Sequence, residues 1–235
     1  MSDAVAGPAG AHAKAPLVML GGTFDPVHYG HLNVAADVRE ALDVAYVTMV
    51  PAADPPHRPP PGAPAADRLA MLALAIAEFP GLALDDREIA RGGRSYTVDT
   101  LEDLRRAWPT RPLAWIVGAD AFLGLMTWHR HREVLALAHL VVVARPGLDL
   151  AAKMDGALAA LWSTHATDDR GALSRASAGA IVRVATSPHP IAATAIRATL
   201  ARSPLDRVAL AKLLPPAVLA YIESHHLYGV AADAR

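Results

Sequence analysis

Short apolar runs recur along the chain, and turn-forming residues bound each of them. Because the runs are four to six residues long and apolar at successive positions, they are typical of parallel strands that are covered on both faces. The pattern predicts strands at residues 17–20, 45–50, 113–117, 140–143 and 181–185.

Helical patterns separate these runs. They predict helices at residues 31–42, 67–78, 97–108 and 134–138, and two more near 195–201 and 216–225. Thr97 is the expected N-cap of the third helix, and Asp99 adds a negative charge to its first turn, where the helix dipole favours one. We expect residues 82–89 to be extended and residues 163–180 to hold a helix end and a loop.

The alternation of strands and helices predicts an α/β fold, with a doubly wound parallel sheet and helices on both faces. We expect a single domain over residues 16–230, with a small C-terminal helical part at about 190–228. Residues 1–15 carry Asp3 and His12 and lack a sustained apolar stretch, so we interpret them as a disordered tail rather than a signal peptide.

A proline-rich segment interrupts the alternation. Residues 51–64 contain prolines at positions 51, 55, 56, 59, 60, 61 and 64. Because proline has no backbone N–H, the segment cannot form a helix or an inner strand. We therefore expect a long loop, and long loops in compact domains are often functional.

Composition narrows the possible functions. Hydrophobic residues make up 53% of the 235 residues, which is enough for a substantial core. The net charge of −1 argues against broad binding to nucleic acid or to an anionic membrane, and no apolar run is long enough to span a bilayer. The absence of cysteine excludes disulfides and thiolate chemistry and suits a reducing compartment, so we expect a cytoplasmic protein.

The clearest chemistry follows the first predicted strand, where the chain reads Gly-Gly-Thr-Phe-Asp-Pro-Val-His-Tyr-Gly-His from residue 21 to residue 31. Gly21 and Gly22 have no Cβ, so backbone at this turn can approach a ligand closely. His28 and His31 are three residues apart at the start of a helix and therefore share a face. Gly30 removes a side chain between them, and the helix N-terminus adds a partial positive charge. The segment predicts a phosphate-binding site.

Two other readings of the histidines are weaker. A tight turn in which both rings only cap and pack would not require the glycine pair and the Asp-Pro step. A zinc site lacks a third ligand at a convincing spacing.

This arrangement resembles the nucleotidyltransferase superfamily with its His-x-Gly-His signature. The whole segment at residues 21–31 is similar to the signature of one member family, the bacterial nicotinate-nucleotide adenylyltransferases. The resemblance implies a Rossmann-like fold and the transfer of AMP from ATP to nicotinate mononucleotide. The products would be nicotinate adenine dinucleotide and pyrophosphate, a step of NAD biosynthesis.

A second segment, residues 190–197, resembles the family's signature Ile-Ser-(Ser or Ala)-Thr-x-Ile-Arg, which grips the triphosphate. Thr194 and Arg197 match the signature, whereas Ala192 stands where the family usually has serine. The difference removes a possible helix cap and a possible phosphate donor, so we expect a weaker grip on the nucleotide rather than an inactive protein.

Other matches extend the resemblance from about residue 17 to residue 228. They are Ser-Tyr-Thr-Val-Asp-Thr-Leu at 95–101, Gly-Ala-Asp at 118–120, Trp128, the Pro-Pro-His-Arg loop at 55–58 with arginine where the family has lysine, Arg68, and the closing stretch at 214–228.

The resemblance assigns roles to matching residues. The implied catalytic residues are His28, His31 and Arg197. The implied ATP and phosphate ligands are Gly21, Gly22, Thr23, Phe24, Gly30, Gly118, Asp120, Ile191, Thr194 and Arg197. The implied contacts to nicotinate mononucleotide are Arg58, Tyr96, Thr97, Trp128 and His129. For Asp120 the residues alone leave a plain helix N-cap equally open.

The same resemblance implies Mg²⁺ bound with ATP, held mainly by the ATP phosphates rather than by protein ligands. The expected partners are the two small-molecule substrates, and a homo-oligomer stays open. Three alternatives remain: a sibling transferase with another acceptor, a class I aminoacyl-tRNA synthetase, and a non-catalytic nucleotide-binding regulator. The chain is short for a synthetase and has no Lys-Met-Ser-Lys-Ser run.

Overall fold

A computed structural model describes residues 15–56, 59–144, 147–187, 189–202 and 204–230. Its centre is a seven-stranded sheet in the order β3-β2-β1-β4-β5-β7-β6, in which every neighbouring pair is parallel. The strands are β1 (Leu17–Gly22), β2 (Val47–Pro51), β3 (Leu82–Leu84), β4 (Leu113–Gly118), β5 (His139–Ala144), β6 (Ala166–Thr167) and β7 (Ile181–Ala185).

Helices connect the strands and cover the sheet. They are α1 (Tyr29–Ala41), α2 (Ala65–Ala77), α3 (Arg87–Arg91), α4 (Thr97–Ala107), α5 (Ala119–Leu123), α6 (His131–Leu137), α7 (Gly156–His165), α8 (Ala172–Arg175), α9 (Ala193–Leu200), α10 (Arg207–Ala211) and α11 (Pro216–Ser224). Short 3-10 turns lie at Leu125–Thr127, Ala151–Lys153 and Leu227–Gly229. Among the described residues, no helix is both long enough and apolar enough to cross a membrane.

The core has two layers because successive strand residues point to opposite faces of the sheet. Val18 and Ile116 belong to the first layer, which α1, α2 and the C-terminal helices α9, α10 and α11 cover. Met19 and Trp115 belong to the second layer, which α4, α5, α6 and α7 cover. The α/β fold with helices on both faces, as predicted from the apolar runs, is confirmed.

The strand order creates a crevice in the middle of the sheet. The chain leaves β1 toward β2 and β3 on one side, and it returns to β4 and β5 on the other. In sheets of this type the crevice outside the carboxyl ends of the two central strands is where ligands bind. The loops after β1 and β4 therefore flank the expected binding site.

Three details of the predicted secondary structure are wrong. The segment at 82–89 is a strand only as far as Leu84, because an Asp85 oxygen accepts from the Arg87 N–H at 3.0 Å and α3 begins there. The segment at 163–180 holds β6 and α8 as well as a helix end and loop. Thr97 is the first helical residue of α4 rather than its N-cap, since Tyr96 occupies that position.

Besides α3 and α8, two further short helices were not expected from the pattern. Helix α5 begins directly after β4, and its five residues are too few to show a helical period. Helix α10 is equally short, but Asp206 caps it by accepting a hydrogen bond from the Ala209 N–H at 2.9 Å.

We predict that Gly21→Ala destabilises the fold, because a Cβ at this position would lie 2.3 Å from Cζ2 of the buried Trp115 ring. Overpacking of this kind costs about 1–3 kcal/mol of the free energy of unfolding. Gly124→Ala is the matched control, since its Cβ would meet nothing closer than 3.6 Å. Urea denaturation of both variants checks the prediction, and equal stabilities would contradict it.

Candidate active site

The two histidines of the first motif form a stacked pair at the start of α1. Their ring centroids are 3.7 Å apart and the rings are inclined by 20°. His28 is the N-cap residue by position, but its side chain makes no capping hydrogen bond. Phe24 supports the pair from below, with its ring edge-on to His31 at 5.0 Å between centroids. The histidines are therefore packed together rather than used to cap the helix.

His28 is almost fully buried, with 4% of its surface exposed. Burial lowers the pKa of its imidazole from 6.5 to about 4, and a hydrogen bond to its own backbone opposes this only in part. Its Nδ1 is buried and has no hydrogen-bond partner from another residue. The ring is neutral at neutral pH, and its Nε2 is the nitrogen that remains for a ligand.

Gly30 lets the first and second motifs meet. A Cβ at Gly30 would lie 3.0 Å from the His28 ring and 3.3 Å from Cβ of Ile191. A side chain at this position would therefore separate the histidine pair from the segment that leads into α9. The contact joins parts of the chain that are about 160 residues apart.

Gly21 and Gly22 lie in β1 rather than in the turn expected after it, and they pack against protein side chains. The space that a Cβ of Gly21 would need is filled by Trp115, and that of Gly22 by the ring of Phe24 at 2.8 Å. Phe24 is buried and has a positive φ of 50°, so its ring belongs to the core and supports the turn rather than offering a surface to a ligand. Thr23 contributes its carbonyl to a buried arginine, Arg68, at 2.7 Å.

Asp25 lies between these glycines and the histidines along the chain, and the residue is 6% exposed. The N–H groups of Gly62 and Ala63 donate to it at 2.8 and 3.1 Å, and the Tyr228 hydroxyl donates at 2.8 Å. Burial and the negative charge of Asp25 raise the pKa of Tyr228 far above its usual range, so this hydroxyl stays protonated as a donor. Asp25 thus joins the first motif to the proline-rich loop and to the end of the described chain.

Arg197, from the second motif, also reaches Asp25. Its Nη1 donates to the Asp25 carbonyl at 2.7 Å and lies 3.4 Å from Oδ2 of the same residue. About a third of the Arg197 side chain is exposed. The predicted phosphate-binding arginine is therefore fixed to the histidine turn while part of it faces solvent.

Arg68 anchors the other end of the proline-rich loop. It is 1% exposed, and its guanidinium donates to the carbonyls of Ala52, Ala53 and Ala63 at 2.7, 2.9 and 3.2 Å, as well as to Thr23. Burial lowers the pKa of Arg68, and Asp25 opposes this shift. The loop predicted from its prolines is confirmed at residues 52–56 and 59–64, which the structure describes, and its two ends are tied to the site. The prediction is wrong at Pro51, which is the last residue of β2 and pairs with Gly22 of β1.

The second motif begins α9 as the resemblance implies. Ala192 is the N-cap of α9, and its methyl side chain cannot make a capping hydrogen bond. The replacement of the family's usual serine therefore falls at the helix entrance. Thr194 is exposed in the first turn. Asp37 of α1 holds the preceding segment, since it accepts from the Ser187 N–H at 2.9 Å and lies 3.3 Å from Nε2 of His189.

Gly118 and Asp120 lie across the crevice, at the end of β4 and in α5. Both are exposed, and a Cβ at Gly118 would meet nothing within 4 Å. Gly118 itself is the N-cap of α5, so the alternative reading of Asp120 as a plain N-cap is wrong.

A second cluster gathers the residues implied for the acceptor nucleotide. The rings of Tyr96 and His129 are 4.3 Å apart, beside Thr97 at the start of α4. Trp128 is half-buried against the second core layer. Arg130 follows them with a positive φ of 51°, and it pairs with acidic side chains of α4 and α6: Asp99, Glu102 and Glu133.

Sequence reasoning missed the roles of several residues. Arg58 lies outside the described residues, so the structure says nothing about it.

Arg68, whose sequence match was noted, carries a physical signal in the sequence. It lies on the buried face of α2 with Met71, Leu72 and Ala75 at helical spacing. A charge in such a stripe indicates a buried contact. Asp25 and Tyr228 carry no comparable signal, because their contacts join distant segments.

The part of the chain that the structure describes contains no group of three or more histidine, aspartate or glutamate side chains that could hold a metal ion.

Comparisons with known proteins identify the family of the chain. The cytidylyltransferase-like family profile matches residues 19–199. A protein of Stenotrophomonas maltophilia (strain K279a), described as a "probable nicotinate-nucleotide adenylyltransferase", is 49% identical over 220 residues, which cover 90% of this chain and 96% of that protein. A protein of Laribacter hongkongensis (strain HLHK9) with the same description is 47% identical over 211 residues, which cover 89% and 93%.

Solved structures share the fold. The nicotinic acid mononucleotide adenylyltransferase of Plasmodium falciparum, complexed with NaAD, superposes with a TM-score of 0.70 at 15% identity, covering 93% of this chain and 99% of that one. The same enzyme complexed with APC gives a TM-score of 0.68 at 14% identity, covering 93% and 99%.

We predict that His28 makes stability fall as the pH is lowered. The unfolded chain takes up a proton near pH 6.5, whereas the folded chain does so only near pH 4. The free energy of unfolding should therefore drop by about 3 kcal/mol through this interval. His28→Gln should lose that part of the pH dependence. Histidine titration by NMR is the direct check, and a His28 pKa near 6.5 in the folded protein would contradict the account.

Proposed function

This chain belongs to the nicotinate-nucleotide adenylyltransferases of the cytidylyltransferase-like family, and we propose that it transfers AMP from ATP to nicotinate mononucleotide. The products are nicotinate adenine dinucleotide and pyrophosphate, and the reaction serves NAD biosynthesis. The observation that carries the proposal is the meeting of the two motifs: the stacked histidine pair borders Ile191 across Gly30, and Arg197 reaches Asp25.

The nucleophile of this reaction is already a phosphate group. Its second pKa is about 6, as for other phosphomonoesters, so it is mostly ionised at neutral pH. No general base and no covalent enzyme intermediate are needed. The protein has to align two anionic substrates and to stabilise the charge that develops at the α-phosphorus and on the leaving pyrophosphate.

The residues at the crevice suit that task. His28 is neutral when the site is free of ligand, and a neutral imidazole can donate its N–H to a phosphate oxygen. A bound phosphate would favour the protonated ring, so the histidine gains positive charge where negative charge develops. We assign transition-state charge stabilisation to His28 and nucleotide positioning to His31. Arg197 and the N-terminus of α9 hold the phosphates.

The acceptor binds across the crevice in this proposal. The rings of Tyr96 and His129, which are inclined by 37° to each other, provide apolar surface for a flat pyridine ring together with Trp128. The N-terminus of α4, at Thr97, offers N–H groups to its carboxylate.

Mg²⁺ enters with ATP in this proposal. The described residues provide no carboxylate cage, and Mg²⁺ in nucleotide sites is held largely by substrate phosphates and water. The ion would neutralise charge on the phosphate oxygens of the bound nucleotide.

Pyrophosphate release tests the proposal. ATP and Mg²⁺ are supplied with nicotinate mononucleotide, nicotinamide mononucleotide or phosphopantetheine in separate reactions. We expect the fastest release with the nicotinate form. Release only with another acceptor would make the protein a sibling transferase, and ATP binding without any release would make it a regulator.

His28→Ala completes the experiment. This change removes the proposed donor to the transition state, so turnover should fall by about 10²-fold or more. The variant should still bind ATP and stay folded by circular dichroism. Near-normal turnover in a folded His28→Ala protein would contradict the role given to His28.

A further inference from the structure

Asp25 is buried at the centre of the site, yet the proposed reaction gives it no chemical task. Its Oδ1 accepts from the Ala63 N–H and from the Tyr228 hydroxyl, while Oδ2 accepts from the Gly62 N–H. Each of these donors comes from a different part of the chain than Asp25 itself. The charge of the carboxylate is met by Arg197, whose Nη1 lies 3.4 Å from Oδ2.

The geometry at Arg197 is specific. One nitrogen, Nη1, contacts both the backbone carbonyl and the carboxylate of Asp25. Because a guanidinium carries N–H groups on three nitrogens in one plane, fixing Nη1 also fixes the direction of Nη2 and Nε. The side chain is about a third exposed, so part of it remains available to a ligand.

The proline-rich loop packs against the same contact between Asp25 and Arg197. A Cβ at Gly62 would lie 3.1 Å from the Tyr228 ring and 3.3 Å from Cδ of Arg197. The loop backbone, the C-terminal tyrosine and the arginine stem are therefore packed together around Asp25. Movement of any one of them changes the surroundings of the carboxylate.

We propose that Asp25 is a positioning residue that acts on ATP through Arg197. Its carboxylate holds the guanidinium in the orientation that meets the polyphosphate, and its bonds to Gly62 and Ala63 place the loop at the same point. The inference rests on the proposed function only in taking ATP as the ligand of Arg197.

The effect of Asp25 on ATP is indirect. A negative carboxylate near a polyanion would by itself weaken binding, so its removal would help if Arg197 were placed without it. If Asp25 orients Arg197, removing the carboxylate frees a long side chain, and ATP binding must then restrict it again. The two cases predict opposite signs for the change in ATP affinity.

A double-mutant cycle tests the proposal. The proteins are the unmodified chain, Asp25→Asn, Arg197→Gln and the double variant, and ATP binding to each is measured by isothermal titration calorimetry without an acceptor. We expect Asp25→Asn to weaken ATP binding by about tenfold in the parent chain and by less than about threefold when Arg197 is already glutamine. Equal losses in both backgrounds, or tighter binding, would overturn the proposal.

Asp169→Asn is the matched control, because Asp169 pairs with Arg175 on the surface outside the crevice. Its ATP affinity should equal that of the parent chain. ATP binding is measured apart from transfer, so a protein that binds ATP with this coupling but releases no pyrophosphate would refute the proposed function and leave the role of Asp25 standing.

Arg197→Lys keeps the proposal testable if Asp25→Asn fails to fold. Lysine keeps the charge but has no planar fork that can engage Asp25 and a phosphate together. We expect its ATP affinity to fall close to that of Arg197→Gln. Binding as tight as in the parent chain would show that orientation by Asp25 is not needed.

Discussion

The site depends on one buried charge. A carboxylate removed from water is stable only where donors and positive charge surround it, and Asp25 draws these from the proline-rich loop, from Tyr228 and from Arg197. Arg68 provides the matching constraint on the other end of the loop, since its buried guanidinium must find carbonyl partners. Together these two groups dictate where the loop, the second motif and the chain end lie relative to the histidines.

The order of the strands in the sheet determines where this network lies. The strand order reverses between β1 and β4, and this opens a crevice at the carboxyl ends of the strands, with both the histidine motif and Gly118 at its edge. Phosphate chemistry suits such a place because helix N-termini and N–H donors are already aimed outward. Burial keeps His28 neutral, so the free site does not hold an uncompensated cation inside the protein at this position.

The sequence allowed the fold and the parts of the site to be predicted, but not how those parts are joined. The apolar runs located each long strand of the sheet, because parallel strands that are covered on both faces are apolar at successive positions. The His28–His31 spacing predicted that both rings share one face at the start of α1, and the rings are stacked there. No local pattern links Asp25 to Tyr228, more than 200 residues away. The need for glycine at position 21 likewise has no local signal, because the Trp115 ring fills the space of a Cβ there only when β1 and β4 pair.

A crystal structure with a non-hydrolysable ATP analogue tests the central claim most directly. The account predicts that the phosphates lie against His28, His31 and the N-terminus of α9, with Arg197 contacting them while its Nη1 still bonds to Asp25. Phosphates bound elsewhere in the crevice, or an Arg197 that leaves Asp25 to reach them, would contradict it.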